Sequence, residues 1–430
     1  MVADPQVVPI EKLESACTTR GYRGAERAEL FWSFVHPVSP GQVALSWISR
    51  DSLARYRASG LVHGGPVLHH GVEEARRRVV ERPRRLAALG AVHLWRTITS
   101  EQIAAVIGSP YVGSRRSTDM ELLFEAGLVQ RGFAYAGDRR TSLPPIWRPD
   151  IAACTAHFED ELSFGERLGV YAGQEWSFGA QATWHNLVTT ELSLRVAEYT
   201  PVATVFGELL AGARLLFSSD PSLAKSKRSA DAVWIRDDGL RIVVESTATA
   251  AAIFRRRVDF WIDAFMADPD RSSVLCVVDI ADPSKPDRVA ALVRRAILDA
   301  THASQDRVHA RVAEQICFVR YTDWFPGPGL VHERFFGLGV ERPTGPAGTR
   351  WERVDLLDPY AVPFAPADPD GARAVIENSK AIYGVPHWLR RGGFDTEALV
   401  RRLAGFPPAG RMTEARRNEL RSRLAGPDRS

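Results

Sequence analysis

From Ser273 to Ile280 the chain reads Ser-Val-Leu-Cys-Val-Val-Asp-Ile, without the polar alternation that a half-solvated strand carries. Such a segment needs cover on both faces. Helix patterns flank it, Ala248–Met266 before and Asp287–Ala300 after, and Ile316–Tyr321 repeats the apolar strand. Continuous apolar strands interleaved with helices predict an α/β fold, a mixed sheet covered by helices. The same region limits the alternatives. The longest apolar stretch, Val274–Ala281, is interrupted by Asp279 and falls far short of the ~20 residues that span a bilayer. No membrane partner is expected.

At 430 residues, with 45 % hydrophobic and 25 % charged side chains, the chain has material for two or three domains. Met1–Ala16 shows no basic-then-apolar pattern, and Cys17, Cys154, Cys276 and Cys317 lie far apart. Neither a signal peptide, a disulfide framework nor a ribbon-type zinc site is read, and a reducing cytoplasm is the expected compartment. Charge is uneven: residues 1–150 carry 20 basic and 15 acidic side chains, residues 151–270 carry 11 and 17. That split suggests a polyanion-facing part followed by a part where carboxylates gather, although an Arg/Ala/Gly-rich composition weakens the signal. Proline-rich junctions at Leu143–Asp150 and Pro326–Asp370 divide the chain into an unassigned helical region (1–84), an α+β segment (85–150), an α/β segment (151–325) and a Pro/Gly-rich segment ending in Arg-rich helices (326–430).

The segment 85–150 has the clearest local grammar. Arg85–Trp95 is a short helix; Thr99 or Ser100 caps the next, whose stripe is Ile103, Val106 and Ile107 and whose stop is Gly108. Tyr111–Ala126 is expected as a third helix, with Met120, Leu122, Leu123 and Phe124 inward and Arg115, Arg116 and Thr118 outward. Strands at Leu128–Arg131 and Ile146–Arg148 flank a loop bearing Arg139 and Arg140. Three helices and a hairpin make the winged helix-turn-helix plan. Its third helix would meet double-stranded DNA with Arg115, Arg116 and Thr118, and its wing with Arg139 and Arg140. The same plan also serves protein–protein contact.

In the α/β segment, Gln181–Tyr199 reads as a helix, Val202–Leu210 and Ala213–Phe217 as strand candidates, and Ala230–Ile235 with Arg241–Ser246 as a hairpin. A three-residue loop Asp237-Asp238-Gly239 would pair Val233 with Val243 and set Asp231 across from Glu245. Like charges so placed destabilise a sheet unless compensated, and Mg²⁺ is a natural compensator. A two-residue Asp238-Gly239 turn would send the two acids to opposite faces. Alternatively Glu245 pairs with Arg255, Arg256 or Arg257, and Asp231 caps a turn.

The order helix, strand, acid-bearing hairpin, helix, strand resembles the restriction-endonuclease-like fold with its PD-(D/E)XK motif. More narrowly, His185-Asn186, Glu191, Glu208, Asp231-Ala232-Val233 and Val244-Glu245-Ser246-Thr247, preceded by a winged helix, resemble the replication-relaxation family of plasmids and mobile elements in high-GC Gram-positive bacteria. The resemblance covers about residues 85–265. It implies a DNA-binding protein of plasmid replication or transfer, with Asp231 and Glu245 as Mg²⁺ ligands and Glu191 or Glu208 as a supporting carboxylate. The pattern's lysine is replaced by Thr247; Lys227 is its candidate substitute, and without one the site is inactive. Whether the chain is a Mg²⁺-dependent endonuclease or nickase stays open.

Other motifs lead elsewhere or nowhere. His63, His69 and His70 sit among glycines as a surface turn, Cys276 reads as core, and Trp95, Trp147, Trp176, Trp184 and Trp261 read as core or interface anchors. No Gly-x-x-x-x-Gly-Lys loop or Gly-x-Ser-x-Gly elbow is present, so no nucleotide cofactor or serine nucleophile is expected. The rival reading is an adaptor or transcriptional regulator with an inactive nuclease-like domain, recruiting protein partners through its C-terminal third.

Overall fold

A computed structural model of the chain describes residues 7–32, 43–60, 67–114, 117–136, 139–140, 144–150, 158–174, 184–217, 223, 226, 228–249, 251–267, 272–281, 283, 288–303, 312–344 and 350–391. The expected C-terminal helices at Thr396–Leu424, Trp176, Cys154 and His63 lie outside these residues.

The first part contains β1 (Val7–Pro9), β2 (Val43–Ile48), α1 (Leu53–Ala58) and α2 (Val72–Val80). Helix α3 (Pro83–Trp95) starts with proline in its first turn, where no intrahelical N–H is needed. Strand β3 (Ile98–Thr99) leads into α4 (Ser100–Ile107), which Thr99 and Gln102 open as a reciprocal capping box and Gly108 closes at φ +74°. Then come α5 (Thr118–Glu125), β4 (Val129–Ala136), β5 (Arg139–Arg140) and β6 (Ile146–Pro149). The strands form an antiparallel sheet in the order β2-β4-β6-β3, with β5 paired to β4.

The third helix is shorter than expected. Pro110–Val112 forms a single 3-10 turn, and the α-helix begins only at Thr118, where the Ser117 hydroxyl accepts the Met120 N–H. The Tyr22 ring packs directly on Gly113, in the turn that precedes α5. Arg115 and Arg116 therefore precede α5 rather than lie on it, and they fall outside the described residues.

The second part runs α6 (Phe164–Tyr171), α7 (Trp184–Tyr199), β7 (Thr204–Gly207), α8 (Ala213–Leu216), β8 (Ala232–Ile235), β9 (Arg241–Thr247), α9 (Ala252–Met266), β10 (Ser273–Asp279), α10 (Arg288–Ala303) and β11 (Ile316–Arg320). After α11 (Tyr321–Trp324) follow β12 (Leu330–His332), β13 (Gly339–Thr344), β14 (Arg350–Asp355) and α12 (Pro369–Ser379). The large sheet has seven strands in the order β14-β13-β11-β10-β9-β8-β7. Neighbours from β7 to β9 are antiparallel, β9, β10 and β11 are parallel, and β13 and β14 return antiparallel. All seven residues of β10 are buried, as the uninterrupted apolar run requires. The fold is thus mixed α/β.

Two sequence expectations fail here. Residues 208–216 form a 3-10 turn and the short α8 rather than strand. Gly207 packs against the Leu94 carbonyl too closely to admit a Cβ, and the chain leaves the sheet at that point. The break read at residue 325 is crossed by the sheet, because β13 and β14 extend it. Strand β13 meets β11 through one residue pair, Phe318 with Glu341, so Pro343 interrupts no continuous ladder on that side.

Helix α7 lies under one face of the sheet, where Trp234 Nε1 donates to Ser193 Oγ at 3.0 Å and Thr189 Oγ1 to Ser246 Oγ at 2.7 Å. Helix α9 covers the other face, from which Trp261 Nε1 reaches Glu245. The distant C-terminal stretch ties both parts together. Arg236, beside the β8–β9 turn, donates to the carbonyls of Leu356 and Val362. The Tyr383 N–H reaches Gly169, the Gly384 carbonyl takes Trp95 Nε1, and Trp388 Nε1 reaches Ala197.

Candidate functional site

The β8–β9 turn fixes the site. The Arg236 N–H donates to the Leu240 carbonyl at 3.0 Å and the Gly239 N–H to Arg236 at 2.9 Å, with Gly239 at φ +93°. This is the three-residue loop, with Val233 opposite Val243 and Ala232 opposite Val244. The two-residue alternative is excluded. One step further the β8–β9 ladder ends: the Asp231 N–H donates to the Val244 carbonyl at 3.0 Å, and Asp231 and Glu245 come together around Arg257. The side chains are 7 % and 1 % exposed, so both acids are held out of water.

Burying two facing carboxylates is costly without opposite charge and hydrogen bonds. Helix α9 supplies both. Arg257 Nη1 lies 3.0 Å from Glu245 Oε2 and 3.8 Å from Asp231 Oδ1. Trp261, one turn further along α9, donates to Glu245 Oε1 at 2.8 Å. The Ser246 N–H donates to Asp231 Oδ2 at 2.8 Å, and His185 Nε2, from α7, stands 3.6 Å from Asp231 Oδ1. Nearby, Asn186 Nδ2 donates to Glu208 Oε2 at 3.2 Å.

The compensation is incomplete. Burial raises the Asp231 carboxyl and Glu208 adds to the rise, against the pull of Arg257 and the Ser246 N–H. Burial and the Asp231 charge raise Glu245 against Arg257 and Trp261. The Glu245 charge, helped by Asp231, raises the Arg257 guanidinium despite partial burial. Burial and Arg257 push His185 down to about 4, so its imidazole is neutral at pH 7.

This donor set fits a guanidinium better than Mg²⁺. Both oxygens of Glu245 are engaged by α9, and Arg257 bridges the two acids where a cation would sit. Among the described residues no group of three or more His, Cys, Asp or Glu is placed to hold a metal. Of the supporting acids named from the sequence, Glu208 borders the centre, as its effect on Asp231 shows. Glu191 does not. It binds Arg27 at 3.0 Å and Arg195 at 3.2 Å on another side of α7. Lys227 lies outside the described residues, and Thr247 closes a local turn with Thr249. The Arg257 pairing was legible as one of three arginines on the following helix. Trp261, read only as core, was missed as a donor; its i+4 spacing from Arg257 was the available signal.

On the small sheet, Arg139 and Arg140 form β5 beside β4, and their side chains are not described. Thr118 is exposed at the start of α5, but most of the helix is covered. Asp119 takes Arg84 Nε at 2.6 Å and Arg85 Nε at 2.8 Å, and Glu125 takes His70 Nδ1 at 2.6 Å and the His69 N–H at 2.8 Å. The His69-His70 turn thus fastens onto α5.

Fold and centre together define a mixed α/β protein with a buried carboxylate pair bridged by arginine. No protein-family model, curated protein or solved structure matches the chain. Among the described residues no helix is long and apolar enough to cross a membrane.

Proposed function

We propose that the chain is a double-stranded-DNA-binding protein of plasmid or mobile-element replication or transfer, with a nuclease-like centre that Arg257 occupies. The observation that carries this reading is the meeting of the buried acids Asp231, just before β8, and Glu245, on β9, at Arg257, inside the sequence α7, three antiparallel strands, α9, parallel strand. That connectivity supports a restriction-endonuclease-like domain. The helix–strand–helix–helix–hairpin order from α3 to β6 supports a winged helix before it. With α5 largely covered, the wing and the stretch preceding α5 are the elements left to meet a duplex.

A gel-shift titration at several salt concentrations tests binding. Each of Arg115→Ala, Arg116→Ala, Arg139→Ala and Arg140→Ala is expected to lower the salt slope by about one. Unchanged affinity in the quadruple variant would remove the winged helix from the interface. Incubating supercoiled DNA with protein and Mg²⁺ or Mn²⁺ tests the centre. With Arg257 bridging both acids and no lysine at 247, the expected result is binding without nicking. Nicking abolished by Asp231→Ala and Glu245→Ala would overturn this and make the chain a nuclease.

The covering of α5 by Arg84, Arg85 and His70 favours a second reading, the adaptor or regulator. Absence of duplex binding at low salt would select it.

A further inference from the structure

Away from the carboxylate pair, where α10, β11, β13 and β14 meet, the molecule has a polar cavity. It encloses about 260 Å³ and is lined by four arginines, Arg294, Arg320, Arg334 and Arg353. Arg320 ends the parallel strand β11, and the carboxyl ends of parallel strands are where open α/β sheets take ligands.

Three acids share the lining, and none of them forms an ion pair with Arg334 or Arg353. Glu341 accepts Arg294 Nη2 at 3.3 Å, and Asp323 accepts the backbone N–H of Arg320 at 3.2 Å. Asp355 packs against the backbone of Gly337 and Gly339. Burial and the neighbouring Asp358 raise its carboxyl, the reverse of what a paired arginine would do. Among the described residues neither Arg334 nor Arg353 has an ion-pair partner. Their charge is felt locally: burial first, then Arg334 and Arg353, hold the His332 imidazole below its ordinary value.

We infer that this cavity is a phosphate-monoester site, held by Arg334 and Arg353. Guanidinium forks match phosphate oxygens in bidentate geometry, and two of them suit the dianion of a terminal phosphate. A small phosphorylated molecule and the 5′-phosphate end of a DNA strand present the same group. The site uses none of the residues of the Asp231–Glu245 centre, so it stands or falls separately from that reading.

Isothermal titration of the full chain with inorganic phosphate and with thymidine 5′-monophosphate tests it. Both are expected to bind, and Arg334→Gln and Arg353→Gln are each expected to weaken binding by about tenfold or more. Because Arg353 is exposed and Arg334 half-buried, both variants are expected to keep the wild-type melting temperature, which confirms that any loss is local. A 5′-phosphorylated oligonucleotide binding more tightly than its 5′-hydroxyl twin, with the difference lost in the double variant, would assign the site to strand ends. Equal binding of the two would assign it to small phosphorylated molecules. No binding of phosphate or the monophosphate up to about 10 mM, or unchanged binding in the double variant, would overturn the proposal.

Discussion

Helix α7 borders two buried ion clusters of different construction. On one side, Glu191 and Glu198 hold Arg27 at 3.0 Å each, Glu191 also takes Arg195, and Arg195 reaches Glu29 at 2.7 Å. Gln102 and the Gly24 N–H add further donors to the two glutamates. Burial pulls both guanidiniums down, but Glu191 and Glu198 around Arg27, and Glu29, Tyr321 and Glu191 around Arg195, outweigh it and raise them. On the other side, Asp231 and Glu245 share one guanidinium, itself 35 % exposed, and their carboxyls are raised. The first cluster is electrostatically satisfied; the second is short of positive charge. Satisfaction of this kind marks a structural joint, whereas the deficit, where β8 begins and β9 nears its end, is held at a cost in stability.

The contrast can be broken most forcefully at the satisfied cluster. Arg27→Met leaves Glu191 and Glu198 buried without their shared cation, and a loss of about 3–5 kcal/mol is expected in urea denaturation. A loss below about 1 kcal/mol would mean that solvent reaches the cluster and that the distinction is wrong.

Arg257→Ala should cost less, about 1–3 kcal/mol at pH 9, because the side chain is partly solvated. Its cost should shrink towards pH 5. The sign follows from linkage: carboxyls raised in the folded state bind protons that the unfolded chain has released. The centre therefore loses stability as pH rises from the ordinary carboxyl range through the raised folded values. Removing Arg257 raises both acids further and steepens that fall. Equal melting-temperature losses at pH 5 and pH 9 would contradict it.

The smallest effect has the opposite sign. Asp231→Asn keeps an acceptor for the Ser246 N–H and removes one of two facing charges. It is expected to stabilise the protein at pH 8 by about 1 kcal/mol, with no gain near pH 4, where both acids are protonated. Destabilisation at pH 8 would show that Arg257 fully offsets the pair.

What could be read from the sequence was local. Gly239 placed the hairpin loop and hence the register of Val233 with Val243, and Val274–Val278 announced a strand covered on both faces. Thr99 and Gly108 marked the ends of their helix. Misreadings arose where distant chain decides the outcome. Glu191 looks like a site acid until Arg27 arrives from 164 residues away. Val202–Leu210 and Ala213–Phe217 read as strands on composition, yet only Thr204–Gly207 is one, because Leu94 and Gly207 meet there and the chain beyond turns out of the sheet. No local pattern announced that a Pro/Gly-rich stretch would extend the large sheet.

Arg236 carries a consequence for synthesis on the ribosome. Its guanidinium is buried and uses the carbonyls of Leu356 and Val362, 120 and 126 residues downstream. Asp238 pairs with that charge from within the hairpin, but at about 5–20 residues per second the two carbonyl acceptors follow only roughly 6–25 s after the hairpin emerges. Trp95 and Ala197 wait longer still for Gly384 and Trp388. During translation the acid-bearing hairpin exists before the carbonyls that anchor its turn do.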